Sequence, residues 1–292
     1  MAEKKRRTNA RQVRESLMHV VFLLTACISI LAVVLICIFM FANGIPTIAE
    51  IGPGNFLLGT TWKPLNDLFG ILPMIVGSLY VTAGAILIGV PIGILCAVYL
   101  ARFCPKRLYR VLKPLIDLLA GIPSIVYGFF GLVVIVPLMQ QMTGASGGKN
   151  ILTASLMLGI MILPTIISVS ESAIRAVPQS YYEGALALGA THERSVFFAV
   201  LPAAKSGILA GVILGIGRAI GEATAVKMVA GNQPIMPASL LSGVRTLTSN
   251  IVVEMGYSEG LHREALIATA VVLFVFILLI NVSFAAIKKK EG

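Results

Sequence analysis

The chain has 292 residues, of which 57% are apolar and 12% are charged, and its mean hydropathy is +0.93. A soluble domain of this length does not need so much apolar surface, so the composition indicates a protein that crosses a membrane several times. The formal net charge of +10 does not indicate nucleic-acid binding, because the basic residues cluster beside the apolar runs. The spacing of the four cysteines fits neither a zinc site nor a disulfide framework.

The chain begins with a basic segment, residues 1–16, which we expect to form an arm in the cytoplasm. The apolar run 17–42 is too long for the core of a signal peptide and lacks a small-residue cleavage site. It therefore predicts an uncleaved first transmembrane helix. Residues 43–70 contain Gly, Pro and Asn and predict an external loop, in which Trp62 is expected to anchor at the membrane interface.

Five further apolar runs complete a set of six predicted transmembrane helices. They lie at about residues 71–100, 114–139, 151–169, 203–229 and 265–287. The predicted fold class is therefore an all-α polytopic membrane protein with six transmembrane helices. Pro91, Pro123 and Pro164 fall inside spans, where a freed backbone carbonyl is tolerable only against other helices or a water-filled path. Residues 288–292 form a short lysine-rich tail.

Six spans place both termini on the same side of the membrane. Taking that side as the cytoplasm puts 17 of the 23 Lys and Arg residues inside. Four basic residues then remain in external loops: Lys63, Lys149, Arg245 and Arg263. This asymmetry predicts cytoplasmic termini and a cytoplasmic location for the polar loop between the fourth and fifth spans.

That polar loop has the signals of two short helices. Ser180 and Glu183 form an S-x-x-E pattern that predicts a capping box and a helix start. Gly189 falls where a left-handed residue would end this helix. A second helix is predicted at about 191–200, where apolar residues are exposed, and Pro202 is expected to close it. A helix–turn–helix unit with exposed apolar residues at a membrane face indicates a docking surface.

The same loop resembles the EAA motif of ABC-importer permeases, in which E-A-A is followed by three residues, Gly, nine residues and I-x-L-P. The residues that match this spacing are Glu183, Ala185, Gly189, Leu201 and Pro202. Gly184 and Ala199 depart from it, since they replace the first Ala and the Ile. The resemblance implies that residues 176–202 are a coupling loop whose helix docks into a groove of an ATPase subunit.

The fifth predicted span contains two charged residues, Arg218 and Glu222, one helical turn apart. A charge facing lipid would cost about 2.5–3.5 kcal/mol, so both side chains should face protein or water. Gly207, Gly211 and Gly215 share their helix face, which allows either close helix packing or a passage. Two interpretations remain open. The pair neutralises itself and holds the bundle together, or Arg218 offers its donors to an oxyanion while Glu222 holds it and then changes partner.

The other ionisable residues of the apolar region give weaker signals. Lys227 is expected to extend to the outer interface. Asp117 is expected to pair with a cation of a neighbouring loop. His19, His192 and His262 are isolated in the sequence, with no partner at ligand spacing, and no functional role is predicted for them.

No pattern of catalytic or metal-ligating residues stands out in this sequence. The glycine-rich turn at 143–150 departs from a Walker A motif at Thr143 and Asn150. We therefore expect a non-catalytic chain that has no cofactor, no metal site and no ATPase site of its own.

Several longer stretches resemble the PstC family, the phosphate-specific permease subunits of bacterial ABC importers. These stretches are 69–82, 119–132, the EAA loop and 214–232, and the resemblance covers about residues 60–287. It implies the fold of a type I (MetI-like) importer permease, with residues 71–287 as the permease core. The sister family PstA shares some of these elements, whereas the Trp-x-Pro stretch from Trp62 favours PstC.

The resemblance also implies partners and a location. The partners are a second permease subunit (PstA-like), an ATPase dimer (PstB-like) that binds ATP-Mg, and an extracytoplasmic phosphate-binding protein (PstS-like). The location is the bacterial inner membrane, where this chain forms half of a pathway for inorganic phosphate. The alternatives are a PstA-like sister subunit, a permease for another oxyanion such as molybdate or sulfate, and a stand-alone channel or ion-coupled carrier.

Overall fold

The computed structural model describes the backbone of residues 2–144 and 147–290 and the side chains of 15–144 and 147–283. Nearly all of the described chain is helical. The helical segments that are long and apolar enough to cross a membrane are Glu15–Ile51, Leu72–Phe103, Ser124–Thr143, Ile151–Ala176, His192–Gly221 and Gly260–Ser283. The predicted all-α membrane protein with six spans is therefore confirmed. The side chains of the basic residues in the predicted arm lie outside the described residues.

Helix α1 (Ala2–Ile51) continues past residue 42, where the first span was expected to end. Its last part packs against α13 (Gly260–Lys290), with Thr47 only 2% exposed. A Cβ at Gly44 would lie 2.6 Å from Val271 Cγ2, so glycine lets the two helices approach closely here. This contact explains why the helix extends through Pro46, because packing stabilises turns that local sequence alone would not.

The rest of the segment predicted as an external loop is folded onto the bundle. It contains helix α2 (Pro53–Leu58) and a two-stranded antiparallel hairpin of β1 (Trp62–Lys63) and β2 (Leu68–Phe69). The Trp62 side chain is only 5% exposed, packed in a cluster with Phe56, Phe69 and Leu266. The expectation that Trp62 anchors at the membrane interface is therefore wrong, because the hairpin turns the indole inward.

The third span differs from its predicted bounds. Helix α3 (Leu72–Val98) is followed by an amphipathic helix α4 (Lys106–Gly121), and the membrane-crossing segment begins only at Ser124. Ile122 and Pro123 are extended and separate the two, so Pro123 lies just before the span and not inside it. The span itself consists of α5 (Ser124–Phe130), a π-helical turn and α6 (Val136–Thr143).

Three π-helical turns each end two residues before a proline. They are Tyr99–Phe103 before Pro105, Gly131–Ile135 before Pro137, and Val196–Val200 before Pro202. Proline lacks an N–H, and its ring clashes with the carbonyl four residues earlier, so a wider turn accommodates it. Two of these prolines lie inside a continuing helix. The expectation that Pro202 closes the second loop helix is thus wrong, since the chain stays helical from His192 to Gly221.

Helix α7 (Ile151–Ala176) is the most deeply buried of the six spans, and six further α-helices follow it in the described part of the chain. They are α8 (Gln179–Ala187), α9 (His192–Ser195), α10 (Leu201–Gly221), α11 (Thr224–Val229), α12 (Leu247–Glu254) and α13. Helix α7 packs along both α3 and α10. A Cβ at Gly89 of α3 would lie 2.9 Å from the carbonyl oxygen of Gly159, so these helices meet almost backbone to backbone.

Candidate functional site

The two charged residues of the fifth span are not paired. Helix α10 ends at Gly221, and Glu222 has an extended backbone with ψ of 119°. Its Oε1 accepts a hydrogen bond from the backbone N–H of Ala225 at 3.0 Å, which satisfies a free donor at the start of α11. Within the described side chains no ion pair joins Arg218 to Glu222. The self-neutralising pair is therefore wrong, because the helix breaks between the two residues.

Arg218 instead contacts helix α7. Its Nη1 donates to Thr165 Oγ1 at 3.2 Å, and the side chain is half-buried. The glycines on the same face of α10 are closed against α7. A Cβ at Gly207 would lie 2.4 Å from Ala173 Cβ, and one at Gly215 would lie 2.7 Å from the Ile166 side chain. These glycines therefore allow close helix packing, and they do not line a passage between α10 and α7.

An open face of α10 lies next to Arg218. Leu214 is 55% exposed, and a Cβ at Gly217 or Gly221 would meet no atom within 4 Å. Arg218 therefore lies between the face that packs on α7 and the face that carries Gly217 and Gly221. A guanidinium in this position keeps several N–H donors for another ligand, and its planar arrangement suits an oxyanion. The role of Arg218 and Glu222 in a substrate pathway stays a prediction.

A buried carboxylate on α7 organises the contact with α4. Glu171 is 2% exposed and accepts from Tyr109 Oη at 2.7 Å and from Arg175 Nε at 2.6 Å. Lys113 Nζ lies 3.4 Å from its other oxygen. The hydrogen bond to Glu171, together with burial, raises the pKa of Tyr109, so the phenol stays a neutral donor. Sequence reasoning missed Glu171, although its spacing to Arg175, four residues along a helix, was visible.

Lys113 connects this cluster to two other side chains. Its Nζ lies 3.0 Å from Asp117 Oδ1, so Asp117 pairs with a cation as expected, but this cation lies one turn earlier on the same helix and not in a loop. Lys113 Nζ also donates to Ser168 Oγ at 2.9 Å. Burial lowers the pKa of Lys113, but the carboxylates of Asp117 and Glu171 outweigh this effect and raise it above its ordinary value. The amine is therefore charged at neutral pH.

The predicted coupling loop starts differently from the expectation. Helix α8 begins at Gln179, after Pro178, and no side chain caps it. Ser180 thus lies inside the helix, and the predicted capping box with Glu183 is wrong, because the fixed φ of Pro178 places the N-cap two residues earlier. Gly189 has φ of +83°, which confirms the left-handed residue expected after the helix.

The loop is held together by His192, which the sequence suggested was isolated. Its Nδ1 is hydrogen-bonded to Tyr182 Oη at 2.7 Å, and its ring packs edge-on against Phe103 at 4.8 Å. The contacts of His192 join α8, α9 and the end of the second span, although no spacing in the sequence indicates these partners. Arg102 adds a hydrogen bond of 3.0 Å from Nη2 to the carbonyl of Ile174. The loop is thus fixed to the bundle.

The coupling loop presents apolar side chains outward. The most exposed are Leu188 at 91%, Phe198 at 77% and Tyr181 at 54%. Of the motif residues, Glu183, Gly189 and Pro202 are exposed, whereas Ala185 and Leu201 are half-buried. A cleft of about 350 Å³ lies beside them, between the ends of α7, α8 and α10. Clustered exposed apolar side chains next to a cleft are typical of a surface that binds another protein.

A second buried carboxylate, Glu254, organises the opposite end of the molecule. It accepts from Trp62 Nε1 at 2.8 Å, is bonded to His262 Nε2 at 2.8 Å, and forms an ion pair with Arg245 Nη1. Arg245 Nε also donates to the carbonyl of Asn232 at 3.1 Å. His262 therefore has a structural partner, Glu254, that its spacing in the sequence does not indicate. No local pattern indicates this site, because Trp62 and Glu254 are 192 residues apart in the chain.

Comparisons with known proteins agree with this architecture. Residues 89–291 match the model of the family described as binding-protein-dependent transport system inner membrane component. The chain is 39% identical over 271 residues to YqgH of Bacillus subtilis, described as a probable ABC transporter permease, covering 89% of this chain and 88% of that one. It is 35% identical over 279 residues to the phosphate transport system permease protein PstC of Mesorhizobium japonicum, covering 88% and 85%.

Solved structures show the same fold at lower identity. A chain of the methionine ABC transporter MetNI, in an inward-facing conformation, has a TM-score of 0.62 at 21% identity and covers 80% of this chain and 100% of its own. A chain of a bacterial alginate ABC transporter has a TM-score of 0.57 at 15% identity and covers 89% and 94%. The predicted MetI-like fold is confirmed by these likenesses. The chain therefore belongs to the family of binding-protein-dependent transport system inner membrane components, the permease subunits of ABC importers.

Proposed function

We propose that this chain is the permease subunit of an ATP-driven phosphate importer and forms half of its translocation pathway. The observation that carries the proposal is the position of Arg218, half-buried beside an open face of α10 and bonded to a hydroxyl rather than a carboxylate. A phosphate anion needs positive charge to enter a low-dielectric path, and a guanidinium supplies charge and parallel donors together. Similarity to permeases named PstC supports phosphate as the substrate.

The coupling loop would transmit ATP-driven motion to this position. The helix that begins in the loop at His192 continues through Pro202 and ends at Gly221, three residues past Arg218. Its 30 residues form a rod of about 45 Å. A displacement of the loop by an ATPase therefore reaches Arg218 through one continuous helix. We infer that Leu188 and Phe198, exposed at the loop, contact that ATPase.

The complete importer would contain the partners that the resemblance implied. They are a PstA-like second permease, a PstB-like ATPase dimer with ATP-Mg, and a PstS-like phosphate-binding protein at the outer face. In this arrangement ATP hydrolysis belongs to the ATPase, and this chain needs no cofactor. Both of its termini would lie in the bacterial cytoplasm, in agreement with the distribution of Lys and Arg.

The test is phosphate uptake into proteoliposomes that contain the complex copurified with this chain. The binding protein is outside, ATP is inside, and sulfate and molybdate serve as competitors. We expect uptake that requires ATP and ignores both competitors. ATP-dependent uptake of a competitor would instead indicate another oxyanion, and transport by the chain alone would indicate a channel or carrier.

The residue-level test replaces Arg218. We expect Arg218→Ala to reduce ATP-dependent phosphate uptake by at least about tenfold, because a charge-assisted contact with the anion is lost, and Arg218→Lys to retain part of the rate. Arg263→Ala, at an exposed external arginine, is the matched control and should leave uptake unchanged. Unchanged uptake by the Arg218→Ala complex would refute the assignment of this residue to the pathway.

A further inference from the structure

Two cationic side chains converge on a single turn of α7. Arg218, from α10, donates to Thr165 Oγ1 at 3.2 Å, and Lys113, from α4, donates to Ser168 Oγ at 2.9 Å. Thr165 and Ser168 are three residues apart, so they lie on one face of the helix and differ by about 4.5 Å along its axis. The two cations thus approach the same strip of α7 from neighbouring helices. The proposed function gives a role to Arg218 but none to Lys113.

The groups at this position are those that bind oxyanions. A guanidinium, an ammonium and two hydroxyls together offer donors to several oxygens of one tetrahedral anion. Lys113 is 23% exposed, so its charge is partly shielded from bulk water but still reachable. On α10 itself, a Cβ at Gly217 or Gly221, close to Arg218 in the chain, would meet no atom within 4 Å.

The carboxylates around Lys113 allow it to change partner. Glu171 already accepts short hydrogen bonds from Tyr109 and Arg175, whereas its contact with Lys113 is longer, at 3.4 Å. Asp117 is 54% exposed, so it can be solvated by water when Lys113 leaves it. Neither carboxylate would be left buried without a donor. The exchange of Asp117 for an incoming anion therefore requires little free energy.

We propose that Lys113 is a second phosphate-binding residue, which forms with Ser168, Thr165 and Arg218 a two-cation site between α4, α7 and α10. This inference rests on the proposed phosphate importer and adds a contact on the helix before the third span. When phosphate binds, Lys113 exchanges Asp117 for the anion. Lys113 also holds α4 against α7. Binding of phosphate to Lys113 would therefore change the position of α4.

The experiment measures ATP-dependent uptake of inorganic phosphate by the assembled complex, as a function of phosphate concentration. Lys113→Gln is expected to raise the KM for phosphate by about tenfold or more, and Lys113→Arg by less, because a cation is retained. Arg110→Gln, at an exposed arginine on the same helix, is the matched control and should keep the wild-type KM. A wild-type KM in Lys113→Gln would overturn the proposal.

A double variant separates anion binding from charge pairing. If Lys113 only neutralises Asp117, then Lys113→Gln combined with Asp117→Asn should restore the wild-type KM, and this result would overturn the proposal. If Lys113 binds phosphate, the double variant should stay impaired, because no ammonium has been restored. Asp117→Asn alone should lower the KM, since it removes the competing carboxylate.

Two further arms keep the result interpretable. Ser168→Ala removes a hydroxyl without changing charge; it should raise the KM a few-fold even if Lys113→Gln fails to assemble, and an unchanged KM would contradict the site. Uptake is also compared in neutral and phosphatidylglycerol-containing vesicles. A Lys113 effect confined to the anionic vesicles would assign a lipid phosphate instead and overturn the proposal. Absence of phosphate uptake by the wild-type complex would refute the proposed function itself.

Discussion

Two buried carboxylates differ in how firmly they are held. Glu254 lies at the end of the molecule that the proposed orientation places outside, and Glu171 lies on the half of α7 that it places inside. Both are bonded to three side chains. Around Glu254, however, the partners Arg245 and His262 are themselves only 12% and 16% exposed. Around Glu171, the partner Arg175 is 44% exposed. The outer cluster is closed, whereas the inner one opens to its surroundings.

The difference indicates separate uses for two similar sets of contacts. If one partner leaves a closed cluster, a buried charge remains that can reach neither another partner nor water. Such a cluster therefore holds its helices in one arrangement. Partners that reach solvent can exchange at little cost. The outer cluster therefore joins the hairpin of β1 and β2 to α12 and α13 as a fixed unit. The inner cluster holds α4 against α7, the helix to which Arg218 also binds. In the proposed transport cycle, this contact between α4 and α7 would move.

The largest expected effect is at the outer cluster. Glu254→Leu leaves Arg245 and His262 without their carboxylate in a buried site, so we expect a loss of about 3–5 kcal/mol in the free energy of unfolding. The measurement is unfolding of the purified protein in mixed micelles by SDS titration. Glu259→Gln, at an exposed carboxylate five residues further on, should be unchanged. A loss below about 1 kcal/mol in Glu254→Leu would show that this cluster is not closed.

A smaller effect is expected when the inner carboxylate is neutralised. Glu171→Gln keeps an acceptor for Tyr109 but removes the charge that faces Lys113 and Arg175, both of which can turn toward solvent. We expect a loss of about 1.5–3 kcal/mol by the same titration. Glu254→Gln is measured in parallel. If Glu171→Gln and Glu254→Gln lose the same free energy of unfolding, the two clusters are equally closed and the proposed difference between them is wrong.

The sequence predicts the spans and the coupling motif because both depend on local patterns. Apolar runs of sufficient length mark the helices, and the EAA spacing places Gly189 at a left-handed turn. The boundaries depend on distant contacts instead. Helix α1 reaches Ile51 because it packs on α13, and the apolar residues 114–121 belong to α4 because Lys113 and Asp117 hold that helix against α7.

The candidate site was predicted only in part for the same reason. Arg218 is identifiable because a lone arginine in an apolar run is costly and therefore functional or paired. Glu222 was predicted to lie on the same helix, since the helical periodicity of the sequence continues through it. In the structure the helix ends before Glu222, whose side chain accepts a hydrogen bond from the N–H of Ala225. Lys113 and Glu171 come from different helices, and no spacing in the chain relates residues that are 58 positions apart in sequence and meet through folding.

The smallest expected effect compares one neutral donor at each cluster. Tyr109→Phe removes the hydroxyl that donates to Glu171 at 2.7 Å, and we expect a loss of about 1 kcal/mol, because the tyrosine is partly exposed. The folded state raises the pKa of Tyr109 above its unfolded value near 10. Its contribution is therefore complete below about pH 10 and is lost as the pH rises through the folded pKa.

The matched variant Trp62→Phe removes the donor to Glu254, and its effect should be larger and independent of pH in this range, since an indole does not titrate. Both variants are unfolded by SDS titration at pH 7 and at steps above pH 9. If the difference between Tyr109→Phe and wild type does not shrink as the pH rises, the phenol is not the donor to the inner carboxylate. If Trp62→Phe costs less than Tyr109→Phe, the outer cluster is the more adaptable of the two, and the assignment of fixed and movable ends is reversed.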